Sequence, residues 1–178
     1  NNNEFIAPNI IIAGGVGSFE PRKLSLKYTD KFEGKSIFYS VRNKNDFKNK
    51  NISIFGGGDS ALDWALELSK SSKITLIHRR KDFRGAQHTL EEIRKLEKLG
   101  KITIKTPFQL DKVEGNEKIQ SITIKNENGK LEKIKTDIIL SFFGLVMKLG
   151  PITEWGLNMN KKNISVNPNN FETNKKGI

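Results

Sequence analysis

The residue pattern predicts an α/β fold: a parallel sheet with crossover helices and an antiparallel meander inserted late in the chain. Three observations carry that expectation. Apolar strands alternate with amphipathic helices between Asn51 and Lys105, the order that builds parallel sheets with right-handed crossovers. A glycine-rich turn, Gly56-Gly57-Gly58, joins the first of these strands to the first of these helices. Two β-type runs flank Asn128-Gly129, a pair that favours hairpins.

Along the chain, Asn9 to Ala13 is a short apolar run ending in Gly14-Gly15-Val16-Gly17, read as a buried strand entering a tight turn. Phe19 to Asp46 has no strong period, with one short strand expected within Ser36 to Val41. Ile52, Ile54 and Phe55 make a β-type run. Ser60 to Ser71 is read as a helix because Ala61, Leu62, Ala65, Leu66 and Leu68 follow a helical period. Asp59 and Ser60 suit its first turn, where free backbone N–H groups want acceptors. Lys73 to Ile77 is the next strand. Thr89 to Leu99 is a second helix, with Leu90, Ile93, Leu96 and Leu99 on one face and Gly100 as its stop. Ile102 to Lys105 is a third strand, followed by Phe108 to Val113. Ile119 to Lys125 and Leu131 to Ile134 form a hairpin with a two-residue turn. Asp137 to Phe143 reads as a buried strand ending at Gly144, and Ile164 to Val166 as a last short strand.

The length, 178 residues, suits one domain able to bury its own core. The absence of cysteine excludes disulfides, thiolate nucleophiles and Cys-ligated metals, and two histidines are too few for a His-rich metal site. No apolar run approaches the roughly 18 residues of a membrane span. Asn1 to Phe5 lack the order of a signal peptide. A cytoplasmic protein with no membrane partner is expected. The net charge of +11 comes from 25 lysines spread along the chain and only six arginines. Lysine so dispersed reads as compositional background, so no specific nucleic-acid partner is expected. The arginines are different: Arg79, Arg80 and Arg84 fall in one six-residue window.

Gly56-Gly57-Gly58-Asp59-Ser60-Ala61 fits G-x-G-x-x-G/A. The first glycine allows a tight turn, the second lets a pyrophosphate approach the backbone, and the small sixth residue lets helix and strand pack closely. The phosphate then lies at a helix N-terminus, where unpaired N–H groups favour an anion. The end of the second strand selects the ligand. NAD sites place a carboxylate there for the ribose 2′-OH; this chain has His78, Arg79 and Arg80, with Arg84 close by. Guanidinium forks fit a 2′-phosphate that a carboxylate would repel, so NADP(H) is the expected cofactor of a Rossmann-like domain. A site for S-adenosylmethionine is disfavoured for the same reason. Each charged hydrogen bond contributes roughly 1.5–3 kcal/mol. Two or three would give a preference for NADP over NAD of roughly several hundredfold. His78 either stacks on adenine or simply ends the strand. His88 reads as structural or solvated, Trp64 and Trp155 as packing residues, and Asp59, Asp63 and Glu67 as a solvated or capping helix face. No residue is expected to act as a catalytic acid, base or metal ligand.

The run Phe55 to Ala65, followed by His78-Arg79-Arg80 and Phe83-Arg84, resembles the NADPH-binding domain of the thioredoxin-reductase-like flavoproteins. The resemblance is strongest to the bacterial type 2 ferredoxin–NADP reductases. It continues through Thr106-Pro107-Phe108, Phe143-Gly144, Leu149-Gly150-Pro151-Ile152 and Trp155-Gly156-Leu157, reaching Glu172-Thr173-Asn174 and Gly177-Ile178. It implies that Gly56, Gly57, Gly58, Asp59, Ser60 and Ala61 hold the NADP pyrophosphate. It assigns His78, Arg79, Arg80 and Arg84 to the 2′-phosphate, and Gly144 to the neighbourhood of the nicotinamide. It further implies FAD in the intact enzyme, ferredoxin or a similar one-electron carrier as partner, and a homodimer.

Two departures qualify the resemblance. Thioredoxin reductases carry Cys-x-x-Cys before the glycine turn, where this chain has Tyr39 to Asp46 without cysteine; reducing a dithiol needs such a relay. The family's two FAD motifs also do not occur in the 178 residues. The expectation is a truncated NADP-binding domain, inactive alone. Residues 1–35 resemble a link from a FAD-binding domain, 36–150 the NADP-binding domain, and 151–178 a segment leading back. The rival readings are a thioredoxin-reductase-like flavoprotein with another acceptor, and a non-enzymatic nucleotide or polyanion binder.

Overall fold

The computed structural model describes residues 3–15 and 17–178, and of Phe19 and Met147 only the backbone. Asn1, Asn2 and Val16 of the expected glycine turn lie outside the described residues. In chain order the elements are β1 (Ser18–Pro21), β2 (Ile37–Phe38), β3 (Asn51–Phe55), α1 (Asp59–Leu68), β4 (Lys73–Ile77), α2 (Gln87–Lys98) and β5 (Ile102–Lys105). Then follow β6 (Gln109–Gly115), β7 (Ile119–Lys125), β8 (Leu131–Lys135), β9 (Ile138–Ser141), β10 (Leu145–Lys148), β11 (Met159–Asn160) and β12 (Asn163–Ile164). They fall into two compact units, Pro21–Gly144 and the combination of Asn1–Glu20 with Leu145–Ile178.

The larger unit is built on a five-stranded sheet in the order β2-β9-β3-β4-β5, all parallel. Its strands bury both faces, and their period of two sorts side chains between them. Ile52, Ile54, Ile74, Leu76, Ile138 and Leu140 face one core with Ala61, Leu62 and Ala65 of α1 and Leu90 and Ile93 of α2. Trp64 packs against this core, as expected of a packing residue. Phe55, Ile77 and Ile139 face a second core with Phe108 and with Ile119, Ile122 and Ile124 of the meander β6-β7-β8. The expected architecture is therefore present: helices on one face, the inserted meander on the other.

Several local expectations are corrected. α1 ends at Leu68 rather than Ser71, and α2 spans Gln87–Lys98. Leu99 lies past the helix end, leaves the helical period and is 71% exposed, not part of the buried face. Asn128-Gly129 does not make a two-residue turn. Gly129 N–H donates to Asn126 O at 3.1 Å with φ +79°, and Asn126 N–H donates to Lys130 O. This is a three-residue loop with glycine in the left-handed position.

The smaller unit pairs β1 with β10 and β11 with β12. Asn9 to Ala13 is not the buried strand expected: no strand is assigned there, and Ile11 is 90% exposed. Among the described residues its backbone tie is one bond, Ile10 N–H to Gly177 O at 2.8 Å, and an apolar run without a ladder on either side cannot be a sheet interior. The last strand pairs at Asn163–Ile164, two residues before the expected end at Val166. No described helix is long and apolar enough to cross a membrane.

Candidate functional site

The strand order places the site. From β3 the chain runs to β4 and β5 on one side, while β9 and β2 lie on the other. The C-terminal end of β3 is thus a switch point, where open parallel sheets bind ligands. The three glycines occupy it. A Cβ on Gly56, whose φ is +156°, would lie 2.8 Å from Ala61 Cβ and 2.9 Å from Phe142 O. The close approach of helix to strand expected from Ala61 is therefore observed. A Cβ on Gly57 would meet the His78 ring at 2.4 Å. Gly58 has nothing within 4 Å of the same position and is exposed.

Gly58 is the N-cap of α1 and makes no side-chain capping bond. Ala61 and Leu62 N–H donate to Gly58 O, while the N–H groups of Asp59 and Ser60 have no partner among the described residues. The N-terminus of α1 is open, and these two donors are free among the described residues. Asp59 does not cap its own helix as expected. Its Oδ1 accepts from Ala86 N–H at 2.7 Å, across to the loop after β4. Ser60 is exposed.

That loop carries the arginines, and it is stapled to the glycine turn. Arg84 N–H and Gly85 N–H both donate to Gly57 O, at 2.6 and 3.2 Å. With the Asp59 bond, three backbone N–H groups hold the loop against the start of α1. Arg79, Arg80 and Arg84 are exposed, and none of their guanidinium groups has a partner among the described residues. His78 is anchored at the base. Its N–H donates to Lys105 O, its O accepts from Phe108 N–H, and its ring stacks on Phe83 at 5.2 Å. The ring faces Gly57. His78 Nε2 and Ser141 Oγ are the buried side-chain atoms without partners among the described residues. They lie at the ends of β4 and β9, on either side of the glycine turn. Buried polar atoms without partners are rare, and two of them flank this crevice.

Burial pushes the His78 imidazole below its ordinary value; a hydrogen bond to the Asp82 backbone opposes this, and Arg79, Arg80 and Arg84 push it further down. The folded chain therefore holds His78 neutral where the unfolded chain begins to protonate. This contribution to stability is fully present above pH 6.5 and is lost as pH falls through the lower folded value. Wild type should lose unfolding free energy between about pH 7 and pH 5, and His78→Phe, which keeps a ring beside Phe83, should lack that part of the slope. Urea titrations at both pH values check it; equal slopes would rule His78 out.

Gly144 follows β9, with φ +87° and open space around its Cα. β9 pairs with β3, and Phe142 N–H donates to Phe55 O, so this strand end lies beside the glycine turn. Phe143 is 41% exposed and meets Phe55 edge to face. The remaining candidates lie apart. His88 and Asp63 are exposed, and Glu67 is paired with Lys44 and Lys70, which hold its carboxyl down to about 2. Trp155 belongs to the smaller unit and is 38% exposed, not a core residue. No group of side chains suited to a metal ion occurs among the described residues. Tyr39, in the stretch without cysteine, donates its hydroxyl hydrogen to Glu33 at 2.8 Å; burial first and this bond second push it up to about 12. One feature had no sequence signal: a cavity of about 350 Å³ where Arg79 and Arg80 meet Pro107, Gln109, Lys125 and Glu127.

The model of the pyridine nucleotide-disulphide oxidoreductase family matches residues 1–178. The chain is 59% identical to a ferredoxin–NADP reductase of Pelagibacter ubique, over 98% of this chain and 52% of the relative. It is 45% identical to a ferredoxin–NADP reductase of Flavobacterium johnsoniae, over 98% and 50%. The chain spans about half the length of the curated relatives it matches. Among solved structures, Lactococcus lactis thioredoxin reductase superposes with a TM-score of 0.81 at 27% identity, covering 99% of this chain and 57% of that one. The T. acidophilum thioredoxin reductase reaches a TM-score of 0.77 at 21% identity, covering 90% of this chain and 53% of that one, and shows the fold alone. With a glycine turn at the switch point of a parallel sheet and a family match along its whole length, the chain belongs to the pyridine nucleotide-disulphide oxidoreductase family.

Proposed function

We propose that this chain is the NADP(H)-binding part of a FAD-dependent oxidoreductase that moves electrons between NADPH and ferredoxin. The observation that carries the reading is the staple: three guanidinium groups without partners among the described residues, on a loop bonded to Gly57 O and Asp59, beside an open helix N-terminus. The fit is to a nucleotide with two separate anionic groups. The Asp59 and Ser60 N–H groups bind the pyrophosphate in the open space at Gly58, while Gly56, Gly57 and Ala61 let the turn pack closely against α1, Phe142 and His78. Arg79, Arg80 and Arg84 bind the 2′-phosphate, with His78 holding the base of their loop. Gly144 leaves space at the nicotinamide end. In this reading residues 36–150 carry the nucleotide, and 1–35 and 151–178 lead from and to the flavin-binding part.

Hydride passage between nicotinamide and flavin is the chemistry the two cofactors supply when bound; this chain's residues position and charge-match one of them. Ferredoxin as acceptor is supported by the names of the relatives and by the lack of cysteine in Tyr39 to Asp46. The test is thermal. NADPH should raise the melting temperature of the 178-residue chain more than equal NADH, because stabilisation by a ligand grows with the logarithm of its concentration relative to its Kd. Equal protection by both nucleotides would remove the 2′-phosphate assignment. A salt-sensitive gel shift with random DNA that outweighs any NADPH effect would instead favour a polyanion binder.

A further inference from the structure

We infer that Lys125, on the meander hairpin, is a further specificity-determining residue for the 2′-phosphate, facing the same cavity as Arg79 and Arg80. The inference rests on the NADP(H) reading and deepens it.

The cavity of about 350 Å³ is walled by three segments far apart in sequence. Arg79 and Arg80 come from the loop after β4, Pro107 and Gln109 from the turn after β5 and the start of β6, and Lys125 and Glu127 from the end of β7 and its loop. Pro107 and the buried aromatic Phe108 behind it give a floor without charge. The charged groups are three cations and one carboxylate, a surplus of two positive charges. A phosphate monoester near neutral pH carries roughly −1.5 to −2, so the cavity matches a 2′-phosphate in charge as well as in position.

The hairpin is held where it can serve. Glu132 of β8 accepts from Lys105 of β5 at 2.5 Å, and both side chains are largely covered. This ion pair ties the hairpin to the sheet edge beside Arg79 and Arg80. Glu132 also takes Lys130, and Glu114 takes Lys112 and Lys133, so these meander lysines are neutralised locally. Lys125 is not: it is exposed and has no side-chain partner among the described residues. Glu127 is likewise without a partner. It is the one cavity group that would oppose an anion, which gives the pair opposite expected signs.

The experiment measures Kd for NADPH, NADH and adenosine 2′,5′-bisphosphate with the 178-residue chain. The variants are Lys125→Gln, Glu127→Gln and Arg79→Ala, all at exposed positions. Lys125→Gln should weaken NADPH and the bisphosphate by about fivefold and leave NADH unchanged, the scale of one exposed charge next to another. Glu127→Gln should tighten the same two ligands by about twofold. Raising salt should shrink both differences. If Arg79→Ala abolishes the NADPH preference while Lys125→Gln leaves it intact, the assignment of Lys125 is wrong and the NADP(H) reading stands. If the wild-type chain shows no preference for NADPH over NADH, both are overturned.

Discussion

Replacing Arg79 and Arg80 together by Ala is expected to weaken NADPH binding by roughly one hundredfold and to leave NADH within about twofold. The physical basis is the one chemical difference between the two ligands, a phosphate at the ribose 2′ position. Two charge-assisted bonds of roughly 1.5–3 kcal/mol each would allow an even larger loss in a buried site. Both arginines are exposed, so solvent and salt screen part of it, and the lower end of that range is the better expectation. Arginine rather than lysine is needed because the planar fork can meet two phosphate oxygens at once. Arg79→Lys with Arg80→Lys, which keeps the charge but loses the fork, should recover only part of the preference. Isothermal titration at two salt concentrations reads all of this. A double Ala variant that still separates NADPH from NADH would place the 2′-phosphate elsewhere.

Gly56→Ala should lower the melting temperature by about 10 °C, whereas Gly58→Ala should change it by less than about 2 °C. The two positions are separated by one residue and differ in what surrounds them. At Gly56 the added methyl group would meet Ala61 Cβ and the carbonyl oxygen of Phe142 at under 3 Å. Neither is the end of a flexible side chain, so relief requires moving α1 or β9 from the sheet, with overpacking costs of about 1–3 kcal/mol and backbone strain besides. For a domain of this size each kcal/mol moves the midpoint by about 2–4 °C. At Gly58 the same methyl group meets open space, and φ is −101°. Gly58→Ala should therefore fold normally and yet lose most of the thermal protection by NADPH, because the methyl group stands where a pyrophosphate would approach. A Gly58→Ala protein protected as well as wild type would move the pyrophosphate away from this turn.

Much of the fold could be read from the residues. β3, β4 and β5 fall where the apolar runs lie, because strands of a covered parallel sheet give a local, nearly continuous apolar signal, and β7 falls where apolar and polar residues alternate, because one of its faces packs on the core. The helix stop at Gly100 and the strand-turn-helix around Gly56 were legible for the same reason: each is decided by backbone chemistry within a few residues. Asn9 to Ala13 misled because an apolar run states only that burial is favourable, while a sheet strand also needs neighbours to accept its N–H groups. Leu99 misled because three-residue steps drift off a helix face by about 60° each, so nine residues after Leu90 it stands about 180° away, on the solvent side.

The site divides along the same line. Sequence by itself determined the glycine turn, the cluster Arg79-Arg80-Arg84 and the absence of a dithiol, since each is a matter of residue type at short spacing. Only the tertiary structure decided that the arginine loop is bonded back to Gly57 and Asp59, that the ring of His78 lies against Gly57, and that a hairpin lysine shares a cavity with Arg79 and Arg80. Those contacts join segments that the parallel crossovers and the inserted meander bring to one edge of the sheet. Their energies depend on distance in space, and no local pattern of residues records it.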